Sequence, residues 1–111
     1  MTTFLVLYRR PDGGDEALAT FLQRYETEHL PLVAGTPGLR ATRVQRVVEA
    51  LGAETDLVVV TAMEFDDRAA LDAGLASDPM RAAGRNLREI APGLATFLVV
   101  EDGLSTSVAT D

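Results

Sequence analysis

The sequence predicts an α+β domain: one four-stranded antiparallel sheet with helices on one face. Three observations carry this. Four apolar runs, at residues 3–9, 39–48, 57–65 and 95–100, have strand length and are bounded by turn residues. Two stretches carry apolar residues at helical spacing, Leu18, Phe21, Leu22, Tyr25 and His29 in one, and Met80, Ala83, Leu87 and Ile90 in the other. The order is strand, helix, strand, strand, helix pair, strand, which is the ferredoxin-like split β-α-β plan.

Each element has a local cause. The first strand, residues 3–9, stops at Arg10-Pro11-Asp12-Gly13-Gly14, a turn composition. A helix follows from about Asp15, with Asp15 and Glu16 on the first turn, where the helix dipole favours negative charge. Pro31 lacks an amide hydrogen and disfavours helical geometry at Leu30, so the helix is expected to end or kink around His29 to Leu30. Gly35-Thr36-Pro37-Gly38 makes a turn into the second strand, where Arg40, Arg43 and Arg46 interleave with apolar residues. Residues 52–56 form a loop before the strongest strand, Leu-Val-Val-Val-Thr-Ala-Met-Glu-Phe. Asp66 or Asp67 caps a short helix to about Ala76. Ser77-Asp78-Pro79 restarts a helix with aspartate as cap and proline in its first turn, and Pro92-Gly93 ends it. Residues 1–104 make a single domain, and residues 105–111 read as a flexible polar C-terminal tail.

The sheet has a second face. Residues 4–7, 57–60 and 97–100 are apolar at both parities, and strands apolar on both sides are buried on both sides. Helices cover one face only. A second copy of the same sheet is the simplest cover for the other, so a homodimer is expected.

Composition narrows the function. The chain has 111 residues, one domain's worth, and a formal net charge of -7. An acidic protein repels phosphate backbones and anionic membrane surfaces, so neither nucleic acid nor membrane is an expected partner. All ten basic residues are arginine, which removes Schiff-base lysine chemistry. Without cysteine there are no disulfides, thiolate nucleophiles or thiolate metal sites. One histidine cannot build a usual zinc site, nor a two-histidine iron site within one subunit. No Gly-rich phosphate loop follows a strand, and no serine sits in a nucleophile elbow. No signal peptide or membrane span is evident, so a cytoplasmic protein is expected.

The run Phe4-Leu-Val-Leu-Tyr-Arg-Arg-Pro11 resembles the first strand of EthD-type proteins, the family named for ethyl tert-butyl ether degradation. So does the stretch from Phe21 to Val33, with His29-Leu30-Pro31-Leu32-Val33 its most specific part. Pro37-Gly38-Leu39 entering a strand is similar too, as is the stretch from Ser77-Asp78-Pro79 through Gly93 into residues 96–101. Together these cover most of residues 3–102. The resemblance implies a dimeric α/β barrel, in which two ferredoxin-like sheets face each other and a small-molecule pocket lies between the helices and sheet of each subunit. Wider relatives include cofactor-independent monooxygenases, muconolactone isomerases, polyketide cyclases and haem enzymes. The matched motifs are not those of the haem enzymes, and no cofactor is implied. The resemblance specifies the fold better than the reaction.

His29 is the first candidate for chemistry, because only histidine has an unperturbed pKa near physiological pH. It is either a general acid/base at a pocket or a helix-end histidine that bonds a carbonyl and packs on the sheet. The resemblance places it in a motif that often faces the pocket. Tyr25, one turn earlier on the same face, is expected to orient the imidazole or a substrate oxygen, or else to be a core aromatic. Topology puts Phe4, Met63, Phe65 and Arg40 near the helix end as substrate-contacting candidates. Tyr8, near the opposite end of its strand, is a further one. The expected function is that of a small enzyme on an apolar carbonyl- or phenol-bearing metabolite, working by histidine-assisted proton transfer as a cyclase, isomerase or cofactor-independent oxygenase. The alternative is a non-catalytic binding or accessory protein for a hydrophobic metabolite.

Overall fold

In a computed structural model, which describes residues 1–104, the strands are β1 (Thr2–Arg9), β2 (Ala41–Arg46), β3 (Leu57–Phe65) and β4 (Ala95–Glu101). The tail expected over residues 105–111 lies outside the described residues. The strands order β2-β3-β1-β4, with every neighbouring pair antiparallel. This is the expected ferredoxin-like sheet. No helix among the described residues is long and apolar enough to cross a membrane.

Helix α1 (Gly14–Arg24) starts from Gly13 and Gly14, whose φ angles of 112° and 75° let the chain leave β1 sharply; residues with a Cβ rarely adopt them. The helix does not end at Pro31. It passes through a π-helical turn (Tyr25–His29), in which the Leu30 amide bonds the Tyr25 carbonyl five residues back, and runs on as α2 (Leu30–Ala34). The wider turn restarts the helix with Pro31 in its first turn, where the missing amide hydrogen breaks no bond. Helix α3 (Arg68–Leu75) is capped by Asp67, whose carboxylate accepts from the Ala70 amide at 2.8 Å. Helix α4 (Asp78–Ile90) is capped by Ser77 rather than Asp78, because Ser77 holds the extended backbone that a cap requires.

Strand pairing sorts the two faces. Phe4, Val6 and Tyr8 lie opposite Met63, Thr61 and Val59 of β3 and opposite Val99, Phe97 and Ala95 of β4, all on the helix side. The core between helices and sheet is built from residues such as Val6, Tyr8, Phe21, Tyr25, Val59, Met63, Phe65, Leu71 and Leu87. The other face carries Leu5, Leu7, Val60, Ala62, Leu98 and Val100, and Leu98 and Val100 are 39% and 41% exposed. Glu64 and Arg43 also lie on this open face. The parity argument is thus visible as an apolar sheet surface that no element among the described residues covers.

Candidate functional site

The helical layer does not fill the space over β1 and β4. A cavity of about 480 Å³ opens there, between α4 and the sheet. Its walls are chiefly apolar: Phe4, Val6, Met63, Leu75, Met80, Ala83, Leu87 and Phe97, among others. Phe4 and Phe97 stack with ring centroids 5.7 Å apart and line one side. Three polar side chains reach the lining: His29, Tyr8 and Arg88.

His29 is brought there by the π-helical turn, a local widening common at functional sites. Its ring stacks on Tyr25, centroids 5.0 Å apart, and it is 3% exposed. Nδ1 lies 3.3 Å from Asn86 Oδ1 across the gap to α4, and the Ala83 carbonyl is a second acceptor beside the ring. Burial pushes the imidazole pKa below its usual value, against the opposing pull of those two acceptors. Neutral imidazole, the form that can take up a proton, is therefore favoured.

Tyr8 is fully buried, packed edge-on to Tyr25 at 5.0 Å and tilted against Phe21 at 5.7 Å. Burial, with Tyr25 beside it, drives its phenol pKa far up, so Tyr8 stays protonated. The Tyr25 side chain lies close enough to perturb the Tyr8 hydroxyl, which makes no hydrogen bond of good geometry among the described residues. A buried hydroxyl without a partner costs about 1–3 kcal/mol, and this one belongs to a residue of the cavity wall.

Tyr25 does not reach the lining. It forms the layer behind, its hydroxyl 2.5 Å from Thr61 Oγ1, and burial raises its pKa. Of the residues expected near the helix end, Phe4 and Met63 share the cavity wall with His29, whereas Phe65 and Arg40 do not. Phe65 is fully buried beneath α3, its ring against Gly74. Arg40 is largely exposed and pairs with Asp66 at 3.3 Å. Tyr8 comes to the same cavity as His29, because α1 and the π-helical turn lay Phe21 and Tyr25 against its ring, and the turn then carries His29 to the same wall.

Sequence reasoning missed Asn86, Arg88, Met80, Leu87 and Phe97 as site residues. Met80 and Leu87 carried a helical-core signal only, and nothing distinguishes a cavity-facing apolar residue from a packed one. Asn86 had no signal. Behind it, Arg24 holds Glu28 through Nε–Oε2 at 2.8 Å and Nη2–Oε1 at 3.1 Å, and Asn86 Nδ2 donates to Glu28 Oε1 at 3.0 Å. The four-residue spacing of Arg24 and Glu28 on a helix is a signal by which this pair could have been found. Among the described residues, no group of three or more His, Asp or Glu side chains is placed to hold a metal ion.

No family model matches the sequence, and no curated protein does. Solved structures do match. An ethyl tert-butyl ether degradation (EthD) family protein from Bacillus halodurans is 27% identical, with 93% of this chain and 99% of that one covered at a TM-score of 0.82. A dimeric protein of unknown function and ferredoxin-like fold from Bacteroides fragilis is 20% identical over 90% of this chain and 94% of its own, TM-score 0.67. SnoaB, a cofactor-independent oxygenase from Streptomyces nogalater, is 14% identical over 99% of this chain and 97% of its own, TM-score 0.61. The last two likenesses concern the fold alone. The likeness first seen in short motifs extends through the whole architecture: the chain has a ferredoxin-like fold and is similar in sequence and structure to an EthD family protein.

Proposed function

We propose that the chain works as a homodimer, in the manner of a dimeric α/β barrel, and that each subunit's cavity takes an apolar small molecule bearing a carbonyl or phenol. His29 moves a proton on that molecule, with no cofactor. The observation that carries this reading is the presence, on one apolar wall, of a buried imidazole biased to its neutral form and a buried phenol that makes no well-formed hydrogen bond among the described residues. An apolar pocket with few convergent polar groups and a perturbed pKa is what a small-molecule site looks like.

The roles follow from the chemistry. Neutral His29 accepts the proton of a phenol, or the acidic proton beside a carbonyl, and general-base assistance of this kind is worth about 10²- to 10⁴-fold. Tyr8, held protonated, donates to the substrate oxygen on which the negative charge collects. Tyr25 braces the imidazole by stacking. Phe4 and Met63 contact the substrate body and exclude water. Phe65 and Arg40 have no substrate role in this reading. Enolate or phenolate formation is the shared first step of cyclases, isomerases and cofactor-independent oxygenases. SnoaB, similar in fold, is itself a cofactor-independent oxygenase.

The second reading, a binding or accessory protein for a hydrophobic metabolite, draws on the same cavity. One experiment separates them: the single imidazole is titrated by NMR with and without a panel of phenols and diketones, and turnover is compared between wild type and His29→Ala. The enzyme reading expects a ligand-responsive imidazole and lost turnover with the fold retained. A variant that keeps full turnover sinks it, while a change in affinity alone identifies a binder.

A further inference from the structure

We infer that Arg24, Glu28 and Asn86 form a positioning chain that holds neutral His29 as its Nδ1–H tautomer, leaving Nε2 as the nitrogen that accepts a substrate proton. This rests on the reading of His29 as the proton-moving group. None of the three side chains lines the cavity.

The chain is read from its charged end. Arg24, at the end of α1, grips the Glu28 carboxylate with two donors. Its other carboxylate neighbour, Glu89, is more distant at 3.8 Å. The guanidinium, aided by the Asn86 amide, holds the Glu28 carboxyl below its usual pKa, so Glu28 is ionised. An ionised carboxylate only accepts. The group that Asn86 presents to it at 3.0 Å must therefore be its NH₂. That settles the Asn86 amide orientation, which heavy-atom positions alone leave ambiguous. The Asn86 carbonyl oxygen then faces His29 Nδ1 at 3.3 Å, and a carbonyl oxygen also only accepts. Nδ1 must donate. In the neutral ring the single N–H is spent there, and the lone pair sits on Nε2.

Geometry supports a built arrangement over a chance contact. Glu28 and His29 are adjacent in the π-helical turn, while Asn86 comes from the middle of α4. The turn thus sends one neighbour outward to the arginine and the other inward to the cavity, with Asn86 joining them. The arrangement parallels the general rule that the hydrogen bond at one imidazole nitrogen sets what the other can do. The Ala83 carbonyl is the competitor, since a proton on Nε2 directed at it would reverse the assignment.

The test uses the full chain labelled with nitrogen-15, in which the only histidine gives an unambiguous ring signal. Above its titration, wild-type His29 is expected to show a protonated Nδ1 and an unprotonated Nε2. Naphthol, an apolar phenol, should then shift Nε2 and leave Nδ1 nearly still. In Asn86→Leu the proton should redistribute to Nε2, and the naphthol response of Nε2 should fall at least several-fold. Glu28→Gln, a milder change on the outer side, lets the Asn86 amide turn over. It should move the tautomer the same way even if Asn86→Leu fails to fold. A wild-type ring protonated on Nε2, or a tautomer unmoved in every folded variant, overturns the inference. The expected tautomer with no response to naphthol or to a diketone upholds the lock and overturns the functional reading, so the two failures are told apart.

Discussion

At the scale of single residues, the candidate site rests on two side chains that burial holds in their uncharged forms. His29 is nearly inaccessible, and burial lowers its pKa. Its folded-state pKa therefore lies below the unfolded value of about 6.5. The stabilisation that follows is present above that value and is lost as pH falls through the folded pKa, because the unfolded chain binds the proton more readily. The slope contributed by one such group reaches at most about 1.4 kcal/mol per pH unit. Urea titrations between neutral and mildly acidic pH should show wild type losing stability on acidification, and His29→Gln should be flatter over that window. Parallel curves would mean that the imidazole titrates as in the unfolded chain. Tyr8→Phe tests the other group. Removing a hydroxyl that has no partner should leave the free protein unchanged or stabilise it by about 1 kcal/mol, read as the midpoint of denaturant unfolding. The same variant should bind phenolic or carbonyl ligands more weakly. A clear loss of stability with unchanged ligand affinity would assign the hydroxyl to the fold instead.

At the scale of elements, the π-helical turn is the device that makes the site. It places Tyr25 and His29 in one stack and lets the helix continue past Pro31. Just beyond the Phe4 and Met63 wall, where Phe65 lies opposite Thr2, the layer is closed instead of opened. There α3 lies directly on the Phe65 ring, and a Cβ at Gly74 would come within 2.7 Å of Phe65 Cε1 and 3.1 Å of Thr36 Cγ2. In an exposed helix, glycine to alanine stabilises by about 1 kcal/mol. Here the ring is fully buried and cannot retreat, so overpacking should win, and Gly74→Ala should destabilise by about 1–3 kcal/mol. Calorimetry checks the sign, and a raised melting temperature would contradict the close packing. The cavity under α4 is then the part of the layer left unfilled, whereas α3 packs tightly on Phe65 at the end of β3.

At the scale of the whole molecule, the uncovered sheet face is the controlling feature. Leu5 lies opposite Leu98 there, among residues too apolar to leave in water as a patch. A second copy covering this face accounts for apolar residues at both parities. Light scattering should give twice the 11.9 kDa chain mass. Leu98→Glu, which puts a charge on that face without touching the cavity, should shift the species to a monomer and lower stability. A wild-type monomer, or a Leu98→Glu dimer of unchanged affinity, would remove the homodimer from the account.

The sequence by itself determined the strand and helix order, the antiparallel sheet and the uncovered apolar face, because these follow from hydrophobic period and turn chemistry, which are local. It also singled out His29, being the lone histidine. Strand ends differ from the expected ones by one or two residues, as at β2, which is shorter than residues 39–48. Tertiary structure alone decided which candidates share a wall. Tyr8 and His29 lie 21 positions apart by residue number, and only the packing of α1 and the π-helical turn against β1 joins them at one cavity. Phe65 and Arg40, equally plausible by topology, were sent elsewhere by the docking of α3 and by Asp66. Asn86 acquires meaning only when α4 brings it between Glu28 and His29. Periodicity says which side chains face inward. Whether inward means a filled core or an open cavity depends on the volumes of residues far apart in the chain.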